Sequence, residues 1–144
     1  MINTVLCALD ISQENDEQVL TTANKIAKLE NARLDIVVVV PNFRISLVGS
    51  YFDENFQNQA VQDAKVALKK RVADILGDDK VTDLRHIVAS GSIYEEILET
   101  AEQAGADLIV IGAHKPELSD YLIGPNAARV VRHSKCSVYV VRES

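Results

Sequence analysis

Apolar residues occur along the chain in two alternating patterns. The first is a short, mainly apolar run, often rich in β-branched residues, which is typical of a strand buried on both faces. This pattern predicts five strands, at residues 5–9, 34–40, 84–89, 108–111 and 138–141.

The second pattern, an apolar residue at every third or fourth position, predicts a helix in each interval between the strands. The second of these helices runs from Gln59 to the stop at Gly77. The third is opened by Ser92, which has capping-box spacing to Glu95, and is closed by Gly105. Residues 41–57 show no period and are predicted to form a long surface loop.

Strict alternation of buried strands and helices indicates an α/β protein. We expect one domain over residues 1–144, built on a doubly wound, five-stranded parallel sheet with right-handed crossovers. Rossmann-like sheets of this kind bind ligands beyond the carboxyl ends of their strands, where the strand order reverses. Here those ends carry Asp10, Pro41, residues 89–91 and residues 112–114.

The net charge of the chain and its distribution limit the classes of ligand that are expected to bind. The chain has a net charge of −6, which disfavours binding to nucleic acid through its phosphates. Residues 112–142 nevertheless hold five Lys and Arg residues against two acids, a local charge of +3. We therefore expect an anionic ligand near the C-terminal third of the chain.

Three further features bear on location. The longest apolar run, residues 36–40, is far below the roughly 18 residues of a membrane helix, so no membrane partner is expected. The N-terminus has no basic segment typical of a signal peptide. Cys7 and Cys136 lack metal-ligand spacing and are predicted to be reduced core thiols. Together these features predict a cytoplasmic protein.

Four segments resemble the universal stress protein family, and the resemblance covers essentially the whole chain. They are ALDIS at residues 8–12, GAHKP at 112–116, LIGPNAA at 122–128 and the closing segment 131–142. The resemblance implies a sheet of order 3-2-1-4-5, of the adenine nucleotide alpha hydrolase-like type. It also implies a homodimer made through strand 138–141, or a tetramer, and bound ATP with or without Mg²⁺.

In ATP-binding members of this family the nucleotide loop reads G-x2-G-x9-G-(S/T). The resemblance implies that Asp10 contacts the ribose or adenine, that Val39 contacts adenine, and that Gly112 and Gly124 are loop glycines. The nucleotide-binding residues implied in this way are Ala8, Asp10, Val39, Gly112, His114, Lys115, Gly124, Pro125 and Asn126.

The loop departs from the family pattern at three points. Lys115 replaces the middle glycine, the stretch from Gly112 to Gly124 is one residue shorter, and Pro125 replaces the Ser or Thr. A His-Lys/Arg-Pro loop resembles one bacterial branch of the family, in which the basic residue can meet the phosphates. Pro125 removes a hydroxyl and an N–H donor, and Asn126 is a candidate substitute donor.

Simpler roles exist for the same residues. Asp10 could cap the following helix, and Gly124-Pro125 could be an ordinary helix start. His114 could be a solvated loop residue, and His86 and His133 are interpreted as structural. Tyr51, Phe52 and Phe56 could close over a nucleotide or form a small hydrophobic cluster.

Three function classes therefore stay open. The chain is expected to be a nucleotide-binding regulatory module that is not an enzyme. The first alternative is a dimeric interaction domain that has lost its nucleotide. The second is a weak ATPase, for which only Asp10, Asp120 and His114 are candidate catalytic residues.

Overall fold

The computed structural model describes residues 1–11, 16–41, 54–113 and 124–142. Strands and helices alternate along this part of the chain, with two helices between the second and third strands. The elements are β1 Thr4–Ala8, α1 Asp16–Glu30, β2 Arg33–Pro41, α2 Glu54–Leu76, α3 Asp78–Asp83, β3 Arg85–Gly91, α4 Ile93–Ala104, β4 Leu108–Gly112, α5 Pro125–His133 and β5 Ser137–Val141.

The five strands form one parallel sheet in the order β3-β2-β1-β4-β5, which confirms the predicted fold. β1 is the central strand, and its Cys7 lies beside Ile36 of β2 and Val110 of β4. The chain moves outward from β1 to β3 and then returns to the other side of β1. The strand order therefore reverses between β1 and β4.

The two faces of the sheet carry separate hydrophobic cores, because successive strand residues point to opposite faces. Val5 and Cys7 lie in the core with α1 and α2, whereas Leu6 and Ala8 lie in the core with α4 and α5. Every residue of β1 is buried. Helices thus cover both faces of the central strands, as continuous apolar runs require.

Helix boundaries differ from the sequence predictions around residues 54–83. α2 begins at Glu54, so the last four residues of the predicted loop are helical. In the sequence these four residues include a single apolar residue, Phe56, so they show no apolar period that would indicate a helix. Gly77, with φ of 105°, ends α2 as expected, but α3 then begins with Asp78 and Asp79, acids that suit the first turn of a helix.

The ends of α4 are only partly as predicted. Gly105 closes the helix with φ of 66°, a left-handed conformation that glycine adopts at little cost. Ser92 is the N-cap residue, but the predicted capping box does not form, since its side chain makes no capping hydrogen bond. Glu95 instead accepts a hydrogen bond of 3.1 Å from the Tyr94 hydroxyl.

The two cysteines lie on opposite faces of the sheet and are not bonded to each other, as predicted. Cys7 is fully buried, and burial raises the pKa of its thiol to about 12. Cys136 is only half-buried beside the other core, so the prediction of two core thiols is correct for Cys7 alone. Within the described residues, no helix is long and apolar enough to cross a membrane.

Candidate functional site

A cavity of about 480 Å³ lies at the carboxyl ends of β1, β2 and β4. This is the edge of the sheet where the strand order reverses, the usual position of a ligand in an open parallel sheet. The starts of α1, α4 and α5 complete its walls. The described lining residues are Ala8, Leu9, Asp10, Asp16, Val19, Val37, Val38, Val39, Ile93, Ile97, Ile111, Gly112, Ala113, Pro125, Asn126 and Ala127.

One side of the cavity is apolar. Val37 and Val39 of β2 belong to the same face of the sheet as Ile93 and Ile97 of α4, and all four line the cavity. The link from β3 to α4 passes through Gly91, where φ is 146° and an added Cβ would lie 3.1 Å from Glu96 Cγ. A side chain at position 91 would therefore crowd Glu96 in the first turns of α4. The wall suits a flat apolar group such as a nucleobase.

The end of β1 forms the middle of the cavity. The Leu9 N–H donates to the Val37 carbonyl oxygen at 2.9 Å, which extends the strand pairing one residue beyond β1. The next residue, Asp10, is exposed and lines the cavity. A carboxylate in this position can accept a hydrogen bond from a hydroxyl or an amino group of a ligand.

The opposite side is formed by the end of β4 and the start of α5. The Ala113 N–H donates to Val141 O at 2.9 Å, which fixes the backbone after Gly112. Gly124 is the N-cap of α5, and Pro125 occupies the first turn. The first intrahelical bond runs from the Ala128 N–H to Gly124 O at 3.0 Å. The preceding N–H groups belong to the helix end that favours anions.

A buried ion pair joins the cavity to α2. Asp16, the first residue of α1, lines the cavity and is 3% exposed. Arg71 of α2 donates from Nε to Asp16 Oδ2 and from Nη2 to Asp16 Oδ1, both at 2.7 Å. These hydrogen bonds raise the pKa of Arg71 above its usual range. Asp16 is thus held by a two-pronged donor, with one hydrogen bond to each of its side-chain oxygens.

The basic residues of the C-terminal third do not line the cavity in the part of the chain that is described. The Arg129 guanidinium lies 5.0 Å from the centre of the Tyr94 ring, and Lys135 is 3.7 Å from Glu102. The charged lining residues described are both acids, Asp10 and Asp16. The expected basic environment for an anion therefore rests on Lys115, which lies outside the described residues.

Comparison with known proteins identifies the family. The model of the universal stress protein family matches residues 1–142. The chain belongs to that family. This confirms the resemblance to the family, and the cavity lies in a universal stress protein fold.

Relatives of this universal stress protein match it over different lengths. The universal stress protein A homolog 1 of Coxiella burnetii is 29% identical over 140 residues, which are 95% of this chain and 94% of the relative. Curated relatives that are 34% identical align over 63% of the chain and 60% of their own length. The chain thus spans less than two thirds of those relatives.

Solved structures share the universal stress protein fold. The hypothetical protein MJ0577 superposes with a TM-score of 0.81 at 25% identity, covering 100% of this chain and 98% of that chain. A universal stress protein in complex with cAMP superposes with a TM-score of 0.70 at 24% identity, covering 99% and 98%. The likeness extends over the whole fold.

Most residues implied by the universal stress protein resemblance meet at one place. The cavity brings together Ala8, Asp10, Val39, Gly112, Pro125 and Asn126. Gly124 adjoins it as the N-cap of α5. His114 and Lys115 lie outside the described residues, as do Asp120, Tyr51 and Phe52 and the side chain of Phe56.

Sequence reasoning missed Asp16 and the apolar wall of α4. Ile93 and Ile97 are four positions apart in a predicted helix, and this spacing indicates only a helix face turned to the core. An acid in the first turn of a helix is common, because it suits the helix dipole, and Asp16 therefore gave no sign of a site. An arginine on another helix supplies its partner, which no local pattern records.

Proposed function

We propose that this chain is an ATP-binding regulatory module. The observation that carries the proposal is a single cavity with an apolar wall on one side and the N-terminus of α5 on the other. A nucleotide has the same two ends, a flat base and an anionic phosphate chain. The cAMP complex of a structural neighbour supports a nucleotide as the ligand class.

The walls suggest an orientation for ATP. The adenine would pack against Val37, Val39 and Ile93, and the ribose would lie near Asp10. The phosphates would then reach the N–H groups at the start of α5, as anions do at helix N-termini. From the sequence, Lys115 adds a cation to the phosphate end.

Magnesium would bind as a companion of the nucleotide. Among the described residues, no group of three or more His, Cys, Asp or Glu side chains is arranged to hold a metal ion. Mg²⁺ commonly binds one or two carboxylates together with substrate phosphates. Asp10 is exposed and lines the cavity, so it is the carboxylate that we propose for that role.

Two measurements test the proposal. Protein purified without added nucleotide is denatured, and the released material is examined by mass and by absorbance. Calorimetric titration with ATP and with adenosine then measures affinity. Co-purified ATP, or binding of ATP tighter than that of adenosine, supports the proposal. A protein that binds neither ligand contradicts it and favours the interaction domain without nucleotide.

Replacing Pro125 examines the phosphate end alone. Pro125→Ser restores a backbone donor and a hydroxyl at the first turn of α5, so ATP should bind more tightly by about 1.5–3 kcal/mol. Adenosine, which has no phosphate, should bind as before. Equal tightening of both ligands, or no change for ATP, would show that the phosphates do not lie at this helix.

We propose further that the protein is a homodimer formed through β5. β5 is at the edge of the sheet, and Tyr139 on it is 48% exposed although it is large and apolar. Pairing of two edges would cover this ring and satisfy the edge backbone. Light scattering at micromolar concentration should give a dimer or tetramer, and Tyr139→Asp should shift it toward monomer. A monomeric wild type would contradict the proposal.

A regulatory role without catalysis and a cytoplasmic location complete the proposed function. The two cysteines not bonded to each other suit a reducing compartment. Turnover of ATP measured with purified protein should be negligible beside binding. Rapid turnover would favour the ATPase class instead.

A further inference from the structure

The Asp16–Arg71 pair links the cavity to a helix that otherwise takes no part in its described lining. Asp16 begins α1 at the cavity wall, and Arg71 lies well inside α2. The carboxylate side chain is 2% exposed and the guanidinium side chain 35%. Both carboxylate oxygens are engaged by the rigid fork of one arginine, so the rotation of the Asp16 side chain is fixed.

A carboxylate in this position opposes the binding of a phosphate. Two like charges repel, and the repulsion is stronger in a partly dry cavity than in water. The charged lining residues in the described ranges are Asp10 and Asp16, both acids. Asp16 is the more buried of the two and would repel a phosphorylated ligand unless its charge were balanced.

Stability alone does not account for the pair. Buried ion pairs are often no more stabilising than apolar residues of similar size, because both charges lose their hydration. Arg71 also lies in an acidic neighbourhood, where Glu17 and Asp74 act on it in addition to Asp16. Its two short hydrogen bonds nevertheless go to Asp16, the one of these three acids that is a lining residue of the cavity.

We propose that Arg71 is a positioning residue of the nucleotide cavity, which cancels the charge of Asp16 and thereby admits ligands that carry phosphate. The proposal rests on the proposed function, since it requires that the cavity binds nucleotide. Arg71 acts through Asp16 and is not expected to touch the ligand. Its effect should therefore depend on ligand charge and not on the nucleobase.

The first test removes the arginine charge. Arg71→Gln leaves Asp16 unbalanced, and calorimetric titration is carried out with ATP and with adenosine. The ratio of ATP affinity to adenosine affinity should fall roughly tenfold, because one uncompensated unit charge near a polyanionic ligand changes its binding by about that factor. A ratio within about threefold of the wild-type value overturns the proposal, since that corresponds to less than about 0.7 kcal/mol.

The second test removes the negative charge of the pair instead of the positive charge. Asp16→Asn removes the carboxylate charge and keeps the arginine, so the ratio should stay equal to the wild-type value or rise. The double variant Asp16→Asn/Arg71→Gln is neutral like the native pair and should return the ratio to about the wild-type value. A mechanical clasp would behave differently, because either single change would weaken ATP and adenosine equally. That result overturns the charge assignment.

Lys70→Gln is the matched control. It removes one positive charge from the neighbouring position of α2, but Lys70 is exposed and is not a lining residue among those described. The ratio should not change. A fall equal to that of Arg71→Gln would show that the overall charge of α2 matters rather than its pairing with Asp16.

Two further measurements distinguish a failure of this inference from misfolding of a variant and from a failure of the proposed function. Thermal unfolding followed by circular dichroism verifies that each variant is folded. If Arg71→Gln is unfolded, Asp16→Asn is compared with the double variant, and ATP should bind less tightly to the latter. Wild type that binds neither ligand overturns the proposed function and this inference together, whereas wild type that binds ATP with an unchanged ratio in Arg71→Gln overturns this inference alone.

Discussion

The carboxyl and amino ends of the sheet each bury one aspartate, and they hold it differently. At the carboxyl end, Asp16 borders the cavity and receives two hydrogen bonds of 2.7 Å from Arg71. At the amino end, Asp35 of β2 is fully buried. Arg33 lies 3.2 Å from one oxygen of Asp35, yet neither oxygen has a hydrogen-bond partner in the part of the chain described.

The surroundings explain the difference. Near the amino end, Nη2 of Arg33 has two partners. It lies near Asp35, and it also donates to the Ala104 carbonyl oxygen at 2.9 Å. Asp107 closes the same end by accepting the N–H groups of Asn3 and Thr4 at 2.8 and 3.0 Å. The amino end is therefore fastened by polar contacts and leaves Asp35 poorly satisfied. The carboxyl end satisfies its aspartate fully beside an open cavity.

The largest expected effect comes from removing each arginine. Arg71→Ala should lower the free energy of unfolding by about 3 kcal/mol, because it leaves a buried carboxylate without its partner. Arg33→Ala should cost about 1 kcal/mol, because its side chain is 53% exposed and its contact with Asp35 is not a hydrogen bond. Urea unfolding measures both. Equal losses would remove the distinction between the two aspartates.

Replacing the aspartates themselves should change stability in opposite directions. Asp35→Val puts a β-branched apolar residue into a strand of valines and removes unsatisfied oxygens, so we expect a gain of about 1 kcal/mol. Asp16→Val leaves Arg71 without its carboxylate partner and should lower the free energy of unfolding by about 2 kcal/mol. The midpoint of urea unfolding measures the direction of each change, provided that the dependence of unfolding free energy on urea concentration is the same in variant and wild type. Destabilisation by Asp35→Val would mean that its carboxylate has a favourable role that these contacts do not explain.

The smallest effect is a pH dependence near the amino end. His86 of β3 has a buried Nε2 without a described hydrogen-bond partner, and it faces Lys69 and Lys65. Burial is the largest cause that lowers the pKa of His86 below 6.5, and the charge of Lys69 is the next. A hydrogen bond with the Leu84 backbone raises this pKa, whereas the charge of Lys65 lowers it slightly further. The unfolded chain therefore binds the proton more readily than the folded chain does.

Stability should accordingly be constant above the unfolded pKa and should fall on acidification from about 6.5 to the lower folded value. His86→Gln removes this titration, so the difference in unfolding free energy between wild type and variant should shrink or reverse across that window. A variant with the same slope as wild type would assign the pH dependence to carboxylates.

The sequence reveals the order of elements because each strand contains a short apolar run that is visible without knowledge of its tertiary contacts. The 3-2-1-4-5 order came from the family resemblance, since the runs alone do not record which strands are neighbours. The start of α2 at Glu54 and the whole of α3 escaped prediction, because their polar residues carry no apolar period.

The candidate site divides in the same way. Asp10, Gly112 and Pro125 could be found because they follow strands or begin a helix, positions that the sequence marks. Asp16 and Arg71 could not, because 55 positions separate them and only the packing of α1 against α2 brings them together. Local patterns predict where strands end and helices begin, whereas ion pairs between helices depend on the tertiary structure.

The central position of β1 affects the order in which the protein can be completed during synthesis. β1 pairs early with β2, but its other neighbour is β4, so Val5 must wait for Leu108. At about 5–20 residues per second, a ribosome needs roughly 5–20 s to translate the intervening segment. During that interval one edge of the central strand is unpaired, and the Cys7 thiol does not yet have its full cover. The nascent chain is therefore exposed to aggregation and oxidation that the finished protein resists.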